Sequence, residues 1–231
     1  MIVSLFDETA IVVQPWLEAG YKALIADIKH PRDSEEGSLV TICGNLKNRE
    51  AWLARALDDY PIHLLCCFPP CTDLAISGVA HFGKKYLRDP FYVEKAMELI
   101  YLSLRLGNRW GCPFFIENPV SVMSTVWRKP DYTFDPYEFG GYLPENDWHP
   151  KWPEFIPPRD AYPKRTCLWT GGGFTLPPKL PVPIFVASHV PQMDELGGKS
   201  ERTKMIRSAT PRGFAAALYH HYKDGDNDTS E

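Results

Sequence analysis

The sequence predicts an α/β fold, a mainly parallel sheet with helices on both faces, and three observations carry that reading. Short apolar runs alternate with helix-like stretches through the first half of the chain, the pattern of parallel strands joined by crossover helices. Two of the runs stop at proline: Ile62-His63-Leu64-Leu65-Cys66-Cys67-Phe68 before Pro69-Pro70, and Phe114-Phe115-Ile116 before Glu117-Asn118-Pro119. A proline ring blocks extension of a central strand, so each run reads as a buried strand with a stiff loop at its carboxyl end. At 231 residues the chain is long enough for one good core and short for two.

Taken in order, Ile2 to Phe6 is the first strand, with neither a basic stretch nor a cleavage site to make it a signal peptide. Gln14 to Ala19 is a helix ended by Gly20, Ala23 to Ile28 a second strand, and Leu39 to Cys43 a third. Arg49 to Asp59 is helical, with Trp52, Leu53, Ala56 and Leu57 on one face. Ile62 to Phe68 is the fourth strand. Phe91 to Leu106 is the longest helix, unbroken by Gly or Pro, with Gly107 just past its end. Pro113 to Ile116 is the fifth strand.

The character changes after Pro119. Val120 to Arg165 is rich in Pro, Trp and Tyr, with no sustained period. It reads either as a proline-ordered wrap packed on the sheet or as a lid whose aromatics stack on a substrate. Arg165 to Trp169 is a further strand, followed by Gly171-Gly172-Gly173. Pro177 to Pro183 leads to a strand-like Ile184 to Ala187. Ala209-Thr210-Pro211 opens a final helix to Tyr222, with Thr210 as N-cap and Pro211 in the first turn. The expected organisation is therefore a single domain over 1–223, with 120–165 as an insertion or lid and 224–231 as a disordered acidic tail.

Composition excludes several classes of protein. No run of 18 apolar residues exists, so no membrane span is expected. The six cysteines (43, 66, 67, 71, 112 and 167) lie mostly inside apolar runs without zinc-finger spacing. That is the usage of reduced, buried thiols in a cytoplasmic protein, with no metal site. A net charge of −4 argues against broad adhesion to nucleic acid. Lys84-Lys85 with Arg88, Arg128-Lys129, Arg159 with Lys164-Arg165, and the stretch from Lys199 to Arg212 are local basic clusters. They are solvated faces or a confined phosphate-binding rim.

Chemistry concentrates at two strand ends. The Cys71 thiol follows the fourth strand and the Glu117 carboxylate follows the fifth, at the sheet edge where open α/β folds bind ligands. A loop thiol and a loop carboxylate are what attack on a ring requires when the ring must be protonated as it is attacked.

These landmarks, in this order, resemble the DNA cytosine-5 methyltransferase family, most closely its short phage and prophage members. Ser4-Leu5-Phe6-Asp7 through Pro15-Trp16-Leu17-Glu18-Ala19-Gly20-Tyr21 is similar to the first cofactor motif and its helix. Asp27 stands where the family places an acid on the cofactor ribose, and Gly44-Asn45-Leu46 where a turn contacts the adenine. Phe68-Pro69-Pro70-Cys71 resembles the Pro-Cys nucleophile motif, Glu117-Asn118-Pro119 the Glu-Asn motif, and Lys164-Arg165-Thr166 a later basic motif. Ala209 to Ala217 stands where the final motif returns to the cofactor side.

The resemblance implies a Rossmann-like S-adenosylmethionine-dependent methyltransferase fold in the cytoplasm of a bacterial host. It implies S-adenosyl-L-methionine as cofactor, contacted by Phe6, Asp7, Glu8, Thr9, Asp27, Asn45, Leu46, Phe68 and Pro69. Cys71 would be the nucleophile on carbon 6 of cytosine and Glu117 the acid at ring nitrogen 3. Asn118 would fix the carboxylate loop, and Arg165 would be the cation that helps Cys71 ionise. The chain differs from the family at Glu8-Thr9-Ala10, where a glycine-rich loop is usual, and at Thr72, where Gln is usual. Only about forty residues separate the basic motif from the last one, too few for the usual target-recognition domain, so a protein partner supplying recognition is one expectation. The same chemistry on a nucleotide or short single strand, or a non-catalytic phage binding or decoy protein, are the alternatives.

Overall fold

Residues 1–184 and 200–223 are described by the structure, a computed structural model. All but Ile184 of the expected strand at Ile184 to Ala187, Lys199 of the last basic cluster and the tail at 224–231 lie outside the described residues. Eight strands form one mixed sheet: β1 (Ile2–Leu5), β2 (Ala23–Asp27), β3 (Ser34–Glu36), β4 (Leu39–Cys43), β5 (Leu64–Cys67), β6 (Phe114–Pro119), β7 (Tyr132–Phe134) and β8 (Thr166–Gly171). Their order across the sheet is β3-β4-β2-β1-β5-β6-β8-β7. The central strands β4, β2, β1, β5 and β6 are parallel, while β3 and β8 run against their neighbours. The architecture is α/β and compatible with a Rossmann-like fold.

The α-helices among the described residues are α1 (Gln14–Glu18), α2 (Leu46–Ala56), α3 (Phe82–Arg88), α4 (Tyr92–Trp110), α5 (Met123–Val126), α6 (Glu201–Ser208) and α7 (Arg212–Tyr222). One face of the sheet, carrying Val3, Leu5, Leu65, Cys67, Phe114 and Ile116, shares a buried core with Leu46 and Leu53 of α2 and with Met97, Ile100 and Leu106 of α4. Residues of the other parity, Ile2, Ile25, Leu64 and Phe115, are buried as well, so both faces are covered.

Helix α4 does not stop before Gly107 as the sequence suggests. It continues to Trp110 and ends at Gly111, whose φ of 59° is left-handed. Gly107 serves packing: a Cβ there would lie 2.4 Å from the Phe114 ring, and one on Gly171 would lie 2.3 Å from it. Two glycines thus make the slot that seats Phe114 and fixes β6 against α4 and β8. Helix α2 likewise begins earlier than the expected Arg49, because the Asn45 side chain accepts the Lys47 N–H and caps it. At α7 the cap differs from expectation. Pro211 is the N-cap residue, and the Gly213 N–H that Thr210 was to satisfy goes to the buried carboxylate of Asp160.

Two compact units are present. The first, Met1–Thr133 with Arg165–Leu176, contains nearly the whole sheet. The second, 134–164 with the described residues from 177 onward, is built on a cluster in which the Phe134 ring lies 5.3 Å from that of Phe139 and 4.3 Å from that of Phe214. The segment 120–165 is therefore divided between the units. It is not structureless: α5, β7 and short 3-10 helices at Pro136–Tyr142 and Pro158–Asp160 lie within it, each too short to leave a period.

Candidate functional site at the carboxyl edge of the sheet

The chain leaves β1 toward β2 and β4 on one side, and resumes at β5 and β6 on the other. The strand order reverses between β1 and β5, and a crevice outside the carboxyl ends of two such strands is the binding place of open α/β sheets. The loop after β1 carries Phe6, Asp7, Glu8 and Thr9; the loop after β5 carries Phe68, Pro69 and Cys71. Asp27 ends β2, Asn45 follows β4, Glu117 and Asn118 lie in the last turn of β6, and Arg165 immediately precedes the antiparallel β8. All these site residues predicted from sequence thus gather at one edge of the first unit.

The loop after β1 is organised by Asp7, which is 4% exposed. Its carboxylate accepts hydrogen bonds from Ser4 Oγ at 2.8 Å, Thr9 N at 2.8 Å, Thr9 Oγ1 at 3.1 Å and Ala10 N at 2.9 Å. His30 Nε2–H donates to the Asp7 carbonyl at 2.9 Å, which sets that ring's tautomer. Phe6 and Ala10 adopt φ values of 59° and 60°. These are left-handed conformations that ordinarily select glycine, so the loop keeps a glycine-like path without one. Glu8 is paired with Lys29 at 2.7 Å. The Asp27 carboxyl is pushed above the usual carboxylate range by burial, against the pull of the Lys29 N–H and of His30.

Leu46 departs from expectation. It is 3% exposed and packs in the core between sheet and helices, so its side chain forms a floor beneath the edge. Asn45 stays at the surface as the cap of α2.

The loop after β5 is held by its neighbours. Phe68 N donates to Leu5 O at 3.0 Å, and the Phe68 ring meets Phe115 edge-on at 5.7 Å. Pro69 is buried and Pro70 exposed. Cys71 opens a tight turn, its carbonyl accepting from Leu74 N and Ala75 N at 2.9 and 2.8 Å. Asn118, fully buried, donates from Nδ2 to Pro69 O at 3.2 Å. The chain beyond β6 then runs antiparallel to the chain beyond Cys71: Ile76 N bonds Val120 O, Val122 N bonds Leu74 O, and Ala75 bridges Ser121. The Cys71 loop and the chain that leaves β6 are thereby stitched together. Glu117, half-buried, shares the strand face of Phe115, and its charge joins burial in raising the thiol of Cys167 on β8.

The six cysteines are free thiols, and only Cys43 and Cys71 are partly exposed. Burial raises the other four, with Cys112 pushed to about 11. Cys43 donates its S–H to the His30 carbonyl. Arg165 is exposed and donates to Thr133 Oγ1 at 3.3 Å. Another cation reaches the Cys71 loop. Lys85 of α3 bonds the Thr72 carbonyl and pairs with Asp73 at 2.9 Å. The sequence shows Lys85 only as part of a basic cluster; nothing in its spacing reveals that it folds back thirteen residues.

Among the described residues, no group of three or more His, Cys, Asp or Glu side chains could hold a metal ion, and no helix is long and apolar enough to cross a membrane. No protein-family model matches the chain, and no curated protein matches it. The sequence places Glu117 in a loop after a strand ending at Ile116; instead β6 runs on to Pro119, with Glu117 in register with Leu168 of β8, because the antiparallel β8 pairs along its whole length. A thiol on the loop after β5 and a carboxylate near the carboxyl end of β6 are the groups that nucleophilic addition with concerted protonation requires.

Proposed function

We propose that this protein is an S-adenosylmethionine-dependent methyltransferase of the DNA cytosine-5 type, acting on carbon 5 of cytosine through a covalent Cys71 adduct. The observation that carries the reading is the stitching of the two loops: the Asn118–Pro69 bond and the pairing of 74–76 with 120–122 hold Cys71 and Glu117 on neighbouring strand ends. The strand reversal beside them and the resemblance of Pro-Pro-Cys and Glu-Asn-Pro to that family supply the rest.

The edge suits the cofactor. Asp27 offers an acceptor to ribose hydroxyls at the end of β2, and the left-handed residues Phe6 and Ala10 keep the first loop on a path close to the switch point. Bound S-adenosylmethionine supplies an electrophilic methyl group. The chain's own part is to activate the base. Cys71 thiolate bonds to carbon 6 while Glu117 gives its proton to nitrogen 3, which makes carbon 5 nucleophilic. After carbon 5 is methylated, water takes its remaining proton, the carbon 6–sulfur bond breaks to release the thiolate, and nitrogen 3 returns its proton to Glu117. In a duplex the base must leave the stack, at a cost on the order of a few kcal/mol.

Isothermal titration tests the cofactor side: S-adenosylmethionine and S-adenosylhomocysteine should each bind with micromolar affinity, and absence of heat from both overturns the proposal. A trap containing 5-fluorocytosine, offered as duplex, single strand and nucleotide, tests the chemistry and selects the substrate. Cys71→Ser should abolish the adduct while leaving cofactor affinity unchanged. Cofactor binding without an adduct on any of the three substrates would support the non-catalytic alternative.

A further inference from the structure

We propose that Lys85 is a positioning residue for the nucleophile: its ammonium clamps the turn that opens at Cys71 and favours the thiolate there. The inference rests on Cys71 being the nucleophile.

The clamp is built from separate contacts. Lys85 Nζ donates to the carbonyl of Thr72, the residue next to Cys71, and pairs with Asp73 Oδ1 at 2.9 Å. It also lies over the Phe82 and Tyr92 rings, 5.7 and 5.9 Å from their centroids. The side chain is only 25% exposed. A lysine stem held between two aromatic faces and a backbone carbonyl is not a freely solvated surface charge. The turn it grips is the one closed by Leu74 N and Ala75 N on the Cys71 carbonyl. Lys85 therefore ties α3, an element with no strand pairing of its own, to the residues on which the thiol's direction depends.

The electrostatic consequence follows from sign. A cation near a thiol stabilises the charged form and an anion opposes it. The charged and titratable groups carried at this end of the sheet by the loop and the elements beside it include Asp73 in the loop, His81 and Lys85 in the segment that follows, Glu117 on β6, Arg165 ahead of β8 and Asp7 after β1. Asp73, Asp7 and an ionised Glu117 oppose the thiolate. Lys85 is the cation bonded to the loop, and Asp73 partly offsets it. Removing the lysine and removing the aspartate should therefore shift Cys71 in opposite directions.

The test is the pH profile of Cys71 alkylation by iodoacetamide in the full chain, read on the Cys71 peptide by mass spectrometry so that Cys43 does not contribute. Lys85→Met should move the midpoint upward and slow alkylation at pH 7 by about tenfold. Lys85→Arg should restore most of the rate. Asp73→Asn should move the midpoint downward and speed alkylation about threefold. A purely structural role would loosen the turn in both variants and shift both in the same direction. An unmoved midpoint in Lys85→Met, or like shifts in the two variants, overturns the proposal. Should Lys85→Met fail to fold, Asp73→Asn decides alone, since its midpoint must fall. These readings need neither cofactor nor substrate. Opposite shifts in a protein that traps no 5-fluorocytosine would keep the clamp and reject the methyltransferase; adduct formation with unmoved midpoints would do the reverse.

Discussion

The two loops that flank the switch point are held in opposite ways. After β1, the Asp7 carboxylate gathers Ser4, Thr9 and Ala10, partners no more than three residues away. After β5, the Cys71 loop takes its shape from residues forty-nine positions on at Asn118 and thirteen on at Lys85, and from the pairing with 120–122. The first loop is gathered mainly by its own carboxylate, with the Glu8–Lys29 pair and the His30 bond to the Asp7 carbonyl anchoring it to the chain after β2. The second is a tertiary structure, correct only when β5, β6 and α3 are all in place. Under the proposed function, a nucleophile would gain from the second arrangement, because the thiol, the acid and the clamp would move as one body. A loop shaping a cofactor site would gain from the first, because its form is set before anything binds.

Replacing Asp7 by Ala tests this contrast most severely. Ser4 Oγ, Thr9 N and Ala10 N would lose a buried acceptor together, and each unmet buried donor costs about 1–3 kcal/mol. Denaturant unfolding should show a loss of about 3 kcal/mol. Hydrogen exchange at 8–11 should quicken while that at 71–76 stays as in the wild type. Equal quickening in both loops would show that they are coupled and that the contrast is wrong.

Asn118→Ala should cost less in stability, about 1–2 kcal/mol, since one buried donor and its acceptor are affected. Its consequence for chemistry should be larger than that figure suggests. Pro69 O loses its tie to β6, and a small misplacement of a reacting group lowers rate steeply. Trapping of 5-fluorocytosine should slow by about a hundredfold, with cofactor affinity unchanged. An adduct rate within twofold of wild type would mean that the 74–76 pairing alone aligns the thiol.

This contrast also explains how much was legible in the sequence. The end of β5 was readable because proline and apolar runs are local signals, and with it came the place of Cys71; β6 runs three residues past Ile116, since its pairing with β8 is not a local signal. The bond from Asn118 to Pro69 and the return of Lys85 to Thr72 were not readable either, because each depends on how separate elements dock. Gly107 misled for the same reason. As a local signal it ends a helix, and only the position of Phe114 reveals that α4 needs it for close approach. Thr210 is the matching case in the second unit, a good local cap displaced by a carboxylate fifty residues away. Leu46 entered as part of an adenine-contacting turn through the resemblance alone; the cap at Asn45 starts α2 early enough to turn its side chain into the core.

The mildest change probes the first loop from within. Ala10 occupies φ 60°, a conformation costing a non-glycine residue about 1–2 kcal/mol. Ala10→Gly removes that strain and adds flexibility to the unfolded chain, which returns part of the gain. The net expectation is a stabilisation of about 0.5 kcal/mol, seen as a small rise in denaturant midpoint at constant slope. The Asp7–Ala10 N–H bond is made by the backbone, so glycine keeps it, and cofactor affinity should hold or improve. A destabilised Ala10→Gly would mean that the alanine methyl makes a contact worth more than the strain it imposes. The first loop would then depend on its surroundings much as the Cys71 loop does.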